Sequence, residues 1–242
     1  MTRICTICAR AGSQRLKDKN IYPVMGIPLI AYSIAAAQES GLFDQIVVTS
    51  DSHDYLEIGH AWGADHCVLR PDDLATGKVG KVHGIAHAVA QTEMMRGLTY
   101  DTIVDLDVTA PLRQVADIQG AVAQHEATDS TAVISAVESK STPYSNMFFK
   151  DDADNLEPMI PTAQIEAHTG SARACYALNA SIYVWDRATF MAAPATFFPK
   201  TKLYVMPAVS RYDVDSQDDV DYVAHILARK DAPYVMPTPK QG

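Results

Sequence analysis

Five strand-length apolar runs alternate with helix-like segments through the first two-thirds of the chain, and this rhythm constrains the fold more than any other feature. The runs cover residues 4–9, 45–50, 65–69, 102–107 and 131–137. Helix signals lie between them at 28–41, 54–62, 81–95 and 115–126, with Pro28 suited to a first turn and Gly41 to a stop. Strands that are apolar on both faces and separated by helices imply a parallel sheet covered on each side. The expected fold class is α/β, with a mostly parallel, Rossmann-like sheet flanked by helices. Ligands of such sheets sit at the carboxyl ends of the strands. Attention therefore falls on the loop after the first strand, the segment after the third, and the end of the fourth.

The rhythm breaks after Val137. Residues 139–174 carry Pro143, Pro158, Pro161 and Met147-Phe148-Phe149, and read as an irregular excursion or small subdomain. Strand patterns return at 180–185 and 203–206. An amphipathic helix follows at 218–229, with Val220, Val223, Ile226 and Leu227 on one side.

A chain of 242 residues, 48% hydrophobic and 20% charged, has ordinary globular composition and can bury a sizeable core. No apolar run reaches the roughly 20 residues that span a bilayer. The first residues lack the layout of a secretory signal, so a cytoplasmic location is expected. Acids outnumber bases 29 to 20, a net charge of −9, which repels nucleic acid and anionic membrane; neither is expected as a partner. Cys5 and Cys8 form a C-x-x-C, but on a strand residues three apart face opposite sides, and no second pair completes a zinc site. The four cysteines are expected to be free thiols. His83 and His87 are four apart on a helix signal but have no third partner, and are expected to be structural.

Four segments carry candidate chemistry. The loop after the first strand, residues 9–20, holds Arg10, Arg15, Lys17 and Lys19, four of the 20 cations of an acidic chain. Gly12 and Ser13 let its backbone N–H groups face an anion, so a phosphate cradle is expected, although neither a Walker A loop nor G-x-G-x-x-G is present. Asp213 and Asp215 are two apart, which places both carboxylates on one face of extended chain and suits a hard divalent cation. The same residues also suit a helix N-terminus beginning near Ser216. Asp105 and Asp107 end an apolar strand on one face, as ligands or as hydrogen-bonding groups. Arg173, with Tyr176 and Asn179, offers a guanidinium that matches a substrate carboxylate.

In order, these segments resemble the acylneuraminate cytidylyltransferase family, the CMP-nonulosonate synthetases. The family pattern A-R-x-G-S…K-N stands here as Ala9-Arg10-Ala11-Gly12-Ser13…Lys19-Asn20. R-P-x-x-L-A is Arg70-Pro71-Asp72-Asp73-Leu74-Ala75, and L-Q-P-T-S-P-L-R is Leu106-Asp107-Val108-Thr109-Ala110-Pro111-Leu112-Arg113. N-[GA]-[AS]-I-Y is Asn179-Ala180-Ser181-Ile182-Tyr183, and the closing D-x-D is Asp213-Val214-Asp215. The resemblance implies one nucleotidyltransferase domain over residues 1–242, with an inserted dimerisation arm at about 139–174 and a homodimer. It implies transfer of CMP from CTP to a sialic-acid-like sugar acid, with Mg²⁺. Arg10, Ala11, Gly12, Ser13, Lys19, Asn20, Arg70 and Lys81 would hold the nucleotide, with Lys19 on its phosphates. Asp213 and Asp215 would bind the metal, the two acting with Lys19 as the catalytic set. Asp107, Thr109, Lys140, Arg173, Tyr176 and Asn179 would face the sugar acid. Asp107 stands where the sialate enzymes usually have Gln, and Gly77 where Asp is common. The Asn-Ala-Ser-Ile-Tyr form leans toward the legionaminate or pseudaminate branch. The alternatives are a Kdo-type octulosonate cytidylyltransferase, whose V-Q-G-D-E-P segment is absent, and a silent nucleotide-sugar-binding scaffold.

Overall fold

A computed structural model describes residues 1–240 except Gln14, 77–79 and 162–173. The order is β1 (Arg3–Cys8), β2 (Pro23–Val24), β3 (Ile27–Pro28), α1 (Leu29–Ser40), β4 (Gln45–Ser50), α2 (His53–Ala61), β5 (His66–Leu69) and α3 (Lys81–Arg96). It continues β6 (Thr102–Leu106), α4 (Val115–Glu126), β7 (Ala132–Glu138), β8 (Phe148–Lys150), β9 (Leu156–Pro158) and β10 (Tyr176–Asp186). The last elements are α5 (Arg187–Ala192), β11 (Thr201–Met206) and α6 (Gln217–Leu227).

Seven strands form one sheet in the order β11-β7-β10-β6-β1-β4-β5. β1 pairs in parallel with β4 and β6, β4 with β5, and β7 with β11. Within this sheet only β10 runs against its neighbours, β6 and β7. The chain leaves β1 for β4 and β5 on one side, then returns to lay β6 on the other. The strand order thus reverses at β1, and a crevice opens beyond the carboxyl ends of β1 and β6.

Alternation along the strands feeds two apolar layers. Cys5, Ile7, Val104 and Leu106 face a cluster with Ile34 of α1, Leu56 of α2, Ile118 of α4 and Val223 of α6. Ile4, Val47, Ile103 and Trp185 face the other side, against Ile85 and Val89 of α3 and Phe190 of α5. Cys5 and Cys8 fall on opposite faces, as their spacing requires, and all four cysteines are free. Helix α1 is almost wholly buried, which its alanines and isoleucines permit, and it ends at Gly41 in the left-handed region at φ 65°.

Two features depart from the sequence pattern. β10 begins at Tyr176, earlier than its apolar run, because the exposed Tyr176 and Leu178 still pair with β7 before the register shifts between Leu178 and Tyr183. Helix α5 is too short to leave a periodic signal; Asp186 caps it by accepting from the Thr189 N–H at 2.8 Å. Within the excursion, β8 and β9 make a separate two-stranded antiparallel sheet. Among the described residues no helix is long and apolar enough to cross a membrane.

The register shift in β10 forces Ala180 to a φ of 52°, where a Cβ is crowded. The family pattern admits glycine at this position. Ala180→Gly is expected to raise stability by about 0.5–1 kcal/mol, the strain relieved less the extra freedom of an unfolded glycine. Urea denaturation reads this directly; a loss of stability would refute it.

Candidate active site

The basic loop is tied to the sheet by its own backbone and by residues outside it. The Ala9 N–H donates to the Thr49 carbonyl at 2.9 Å, and the Ala11 N–H to Asp51 Oδ1 at 2.8 Å. Buried Asn20 donates from Nδ2 to the Arg10 carbonyl at 2.8 Å, closing the loop on itself. Gly12 sits at φ 77°, a turn that suits glycine. Asn20 is therefore the brace that shapes the loop. Asp51 was not singled out from the sequence; it follows β4 and carries no motif.

Lys81 opens α3 and reaches across the mouth of the sheet. Its Nζ lies 2.9 Å from Asp105 and 2.7 Å from Asp107, over the Tyr183 ring at 4.6 Å from the centroid. Burial pushes the ammonium down, but the two carboxylates outweigh this and hold it well above its usual range. Burial alone would push the Asp107 carboxyl up; Lys81 and the Thr109 hydrogen bonds reverse that and hold it below its ordinary value. Thr109 donates to Asp107 Oδ1 from its N–H at 3.2 Å and its hydroxyl at 2.9 Å. Asp105 and Asp107 do share a face, as their spacing requires.

Asp215 lies at the other end of the cleft, against the basic loop. Lys19 Nζ is 2.5 Å from its Oδ1, and exposed Arg15 is 2.8 Å from its Oδ2. Helix α6 fixes this segment through a capping box between Ser216 and Asp219, and Asp219 also accepts from the Asp215 N–H at 3.1 Å. Asp213 is held next to Thr109, whose carbonyl accepts from the Val214 N–H at 2.8 Å. Its carboxyl is pushed up, first by burial and further by the charges of Asp107 and Asp215.

One cleft of about 340 Å³ is lined by Arg10, Ser13, Lys19, Asn20, Arg70 and Lys81 together with Asp107 and Thr109. A second opening of about 290 Å³ shares Arg10, Ser13 and Lys19 and continues to Asp215. The structure thus joins the predicted nucleotide loop, the strand-end acids and the D-x-D segment at the crevice. Lys81, expected on the nucleotide, has its ammonium between two carboxylates. Asn179, expected on the sugar acid, is buried inside. Its Oδ1 accepts from Ser135 at 2.7 Å and its amide reaches the Ser210 hydroxyl at 3.1 Å, so it braces the β10 irregularity. Tyr176 is exposed at the start of β10, Lys140 is exposed beyond β7, and neither lines the cleft. Arg173 and Gly77 lie outside the described residues.

A family model described as cytidylyltransferase matches residues 4–206. The chain belongs to this family. It is 33% identical over 230 residues to the CMP-N,N'-diacetyllegionaminic acid synthase of Campylobacter jejuni, covering 94% of this chain and 95% of that one. Similarity to the post-translational flagellin modification protein B of Campylobacter coli is 32% over 227 residues, with 94% and 95% covered. Among solved structures, the CMP:2-keto-3-deoxy-manno-octonic acid synthetase complexed with CTP matches with a TM-score of 0.66 at 15% identity, covering 94% of this chain and 99% of that one. That likeness carries the fold. This cytidylyltransferase is accordingly a nucleotidyltransferase enzyme.

Lys81→Met removes the cation that separates two carboxylates, one of them fully buried. A destabilisation of about 3–5 kcal/mol is expected at pH 7. Because the folded-state Asp107 carboxyl is held below its ordinary value, its contribution is present above that value and is lost as pH falls through the folded one. The deficit of the variant should therefore shrink toward about pH 3. Urea denaturation at both pH values checks this; a deficit independent of pH would refute it.

Proposed function

We propose that this cytidylyltransferase transfers CMP from CTP to the anomeric 2-hydroxyl of a nonulosonic acid of the sialic acid type. The oxygen of that hydroxyl bonds to the α-phosphorus, the bond to the bridging oxygen breaks, pyrophosphate leaves and the hydroxyl proton is released. The observation that carries this reading is a cleft that runs from the basic loop to Thr109 and Asp107, joined through Arg10, Ser13 and Lys19 to a second opening that reaches Asp215. Three of the named relatives, the N,N'-diacetyllegionaminic, pseudaminic and N-acylneuraminate enzymes, support the acceptor class.

Arg10, Ser13 and the backbone of Gly12 would cradle the nucleotide, with Arg70 beneath it and Lys19 on the phosphates; the Ala11 N–H is taken by Asp51 and shapes the loop instead. Asp107 and Thr109 would face the sugar acid, and Arg173 would meet its carboxylate. The D-x-D segment fits Mg²⁺: its donors are hard carboxylates, and Asp213, buried and crowded by the charges of Asp107 and Asp215, has no ion-pair partner among the described residues and favours added positive charge. Asp213 and Asp215 would hold the ion, which supplies charge for the departing pyrophosphate. Lys19 and Arg15, now on Asp215, would supply further positive charge to that leaving group, and most of the rate is positioning and electrostatics.

The Kdo-type alternative has a solved structure of the same fold, but the legionaminic and pseudaminic acid enzymes among the sequence relatives, at 25–33% identity, favour a nonulosonate acceptor. A silent scaffold would have no need of Asp215 held on Lys19 with a second carboxylate, Asp213, two residues before it. We further propose a homodimer through the excursion at 139–174, supported by exposed Phe148, Phe149, Leu156 and Leu178. A cytoplasmic location is supported by the free cysteines.

Pyrophosphate release from CTP with Mg²⁺ should occur with one of N-acetylneuraminate, legionaminate, pseudaminate, Kdn or Kdo. Asp213→Asn or Asp215→Asn should lower kcat by about 100-fold or more, with a smaller change in KM for the sugar acid. Release with Kdo alone would favour the alternative, and silence with all five would sink the acceptor class. In sedimentation, Phe148→Ser/Phe149→Ser should shift a dimer toward monomer; a wild-type monomer at micromolar concentration would refute the dimer.

A further inference from the structure

Arg70 follows β5 and is 4% exposed, yet among the described residues no carboxylate pairs with it. A buried cation without a counter-charge is unfavourable until an anion arrives. Its contacts are all neutral. Nη2 donates to Cys8 Sγ at 3.1 Å and to the Thr49 carbonyl at 3.2 Å. Nε is buried without an acceptor and lies against Gly84 of α3. Nη1 is the edge left to the cleft that Arg70 lines.

Both neighbours are unusual choices for their places. Gly84 lies in the first turn of α3, where glycine is less favourable than alanine. A Cβ on Gly84 would lie 2.9 Å from Arg70 Nε and 3.0 Å from Cζ. The atoms in the way belong to a side chain, so alanine would displace the guanidinium and leave the helix in place. Burial pushes the Cys8 thiol up to about 12, so it stays protonated near neutral pH. It therefore accepts from Arg70 without cancelling the charge, as a carboxylate would.

We propose that Cys8 and Gly84 are positioning residues for nucleotide recognition, fixing the Arg70 guanidinium on the cleft floor so that its free edge takes an oxygen of the bound nucleotide. This rests on the CTP reading above. It gives the first strand's C-x-x-C a purpose at its second cysteine, and explains a glycine one turn after Lys81.

Calorimetric titration of the full chain with CTP and Mg²⁺ tests it. Gly84→Ala and Cys8→Val should each weaken CTP binding by about tenfold or more. The thermal midpoint of Gly84→Ala should hold or rise, because alanine favours the helix; loss of affinity with a preserved fold separates positioning from stability. Cys8→Ser, which keeps an acceptor, should bind CTP within about threefold of wild type. In turnover, KM for CTP should rise in Gly84→Ala while KM for the sugar acid holds. In an Arg70→Met background, adding Gly84→Ala should change CTP binding no further. Wild-type affinity in Gly84→Ala, or an equal loss with and without Arg70, would overturn the inference. Absence of CTP binding by the wild type would instead overturn the nucleotide reading on which it rests.

Discussion

A lysine held between two carboxylates sets the mouth of this sheet. Asp105 lies inside the central strand with no solvent exposure; one oxygen accepts from the Thr6 hydroxyl at 2.8 Å and the other lies 2.9 Å from Lys81. An ionised group in that place needs a cation. β6 can carry acids at its carboxyl end because α3 delivers Lys81 with its first residue. That anchors the start of α3 over the crevice, and three residues later the same helix brings Gly84 against Arg70. Asp107 is held twice: its carboxylate by Lys81, and its carbonyl by buried Arg113, which donates to it at 2.7 Å and to the Ser181 carbonyl at 2.9 Å.

The framework was legible because its signals are local. Apolar strand runs, Gly41 as a stop and the spacing of Asp105 and Asp107 depend on neighbours a few residues away, and each reappears in the fold. The clustering of the basic loop with the acids followed from the rule that such sheets bind at their carboxyl edge. What stayed hidden depends on pairings across the chain. Nothing within residues 9–20 says that Asp51 will hold the Ala11 N–H, or that Asn20 will be consumed by the Arg10 carbonyl. Asn179 shows the opposite hazard. Its motif points to a ligand, but Ser135 and Ser210, far from it in sequence, use its amide to brace a strand. Lys81 likewise counts as a free cation in sequence and as a partner of two acids in the fold.

Charge divides the crevice. Arg10, Arg15, Lys19 and Arg70 stand on the side of the first loop and β5, whereas Asp105, Asp107 and Asp213 stand on the side of β6 and the segment before α6. Lys81 lies between Asp105 and Asp107, and Asp213 has no ion-pair partner among the described residues. A polyanionic phosphate chain entering the crevice is drawn to the loop rather than to the acids, so its orientation is decided before close contacts form. Asp215 sits at the boundary, with its carboxylate toward the cations and its backbone held by the α6 cap. Asp213 stands near the same boundary, its carboxyl pushed up by burial and further by the charges of Asp107 and Asp215. The two halves are therefore interdependent: the acids keep an anion on the loop, and the loop's Lys19 and Arg15 hold the Asp215 carboxylate in place.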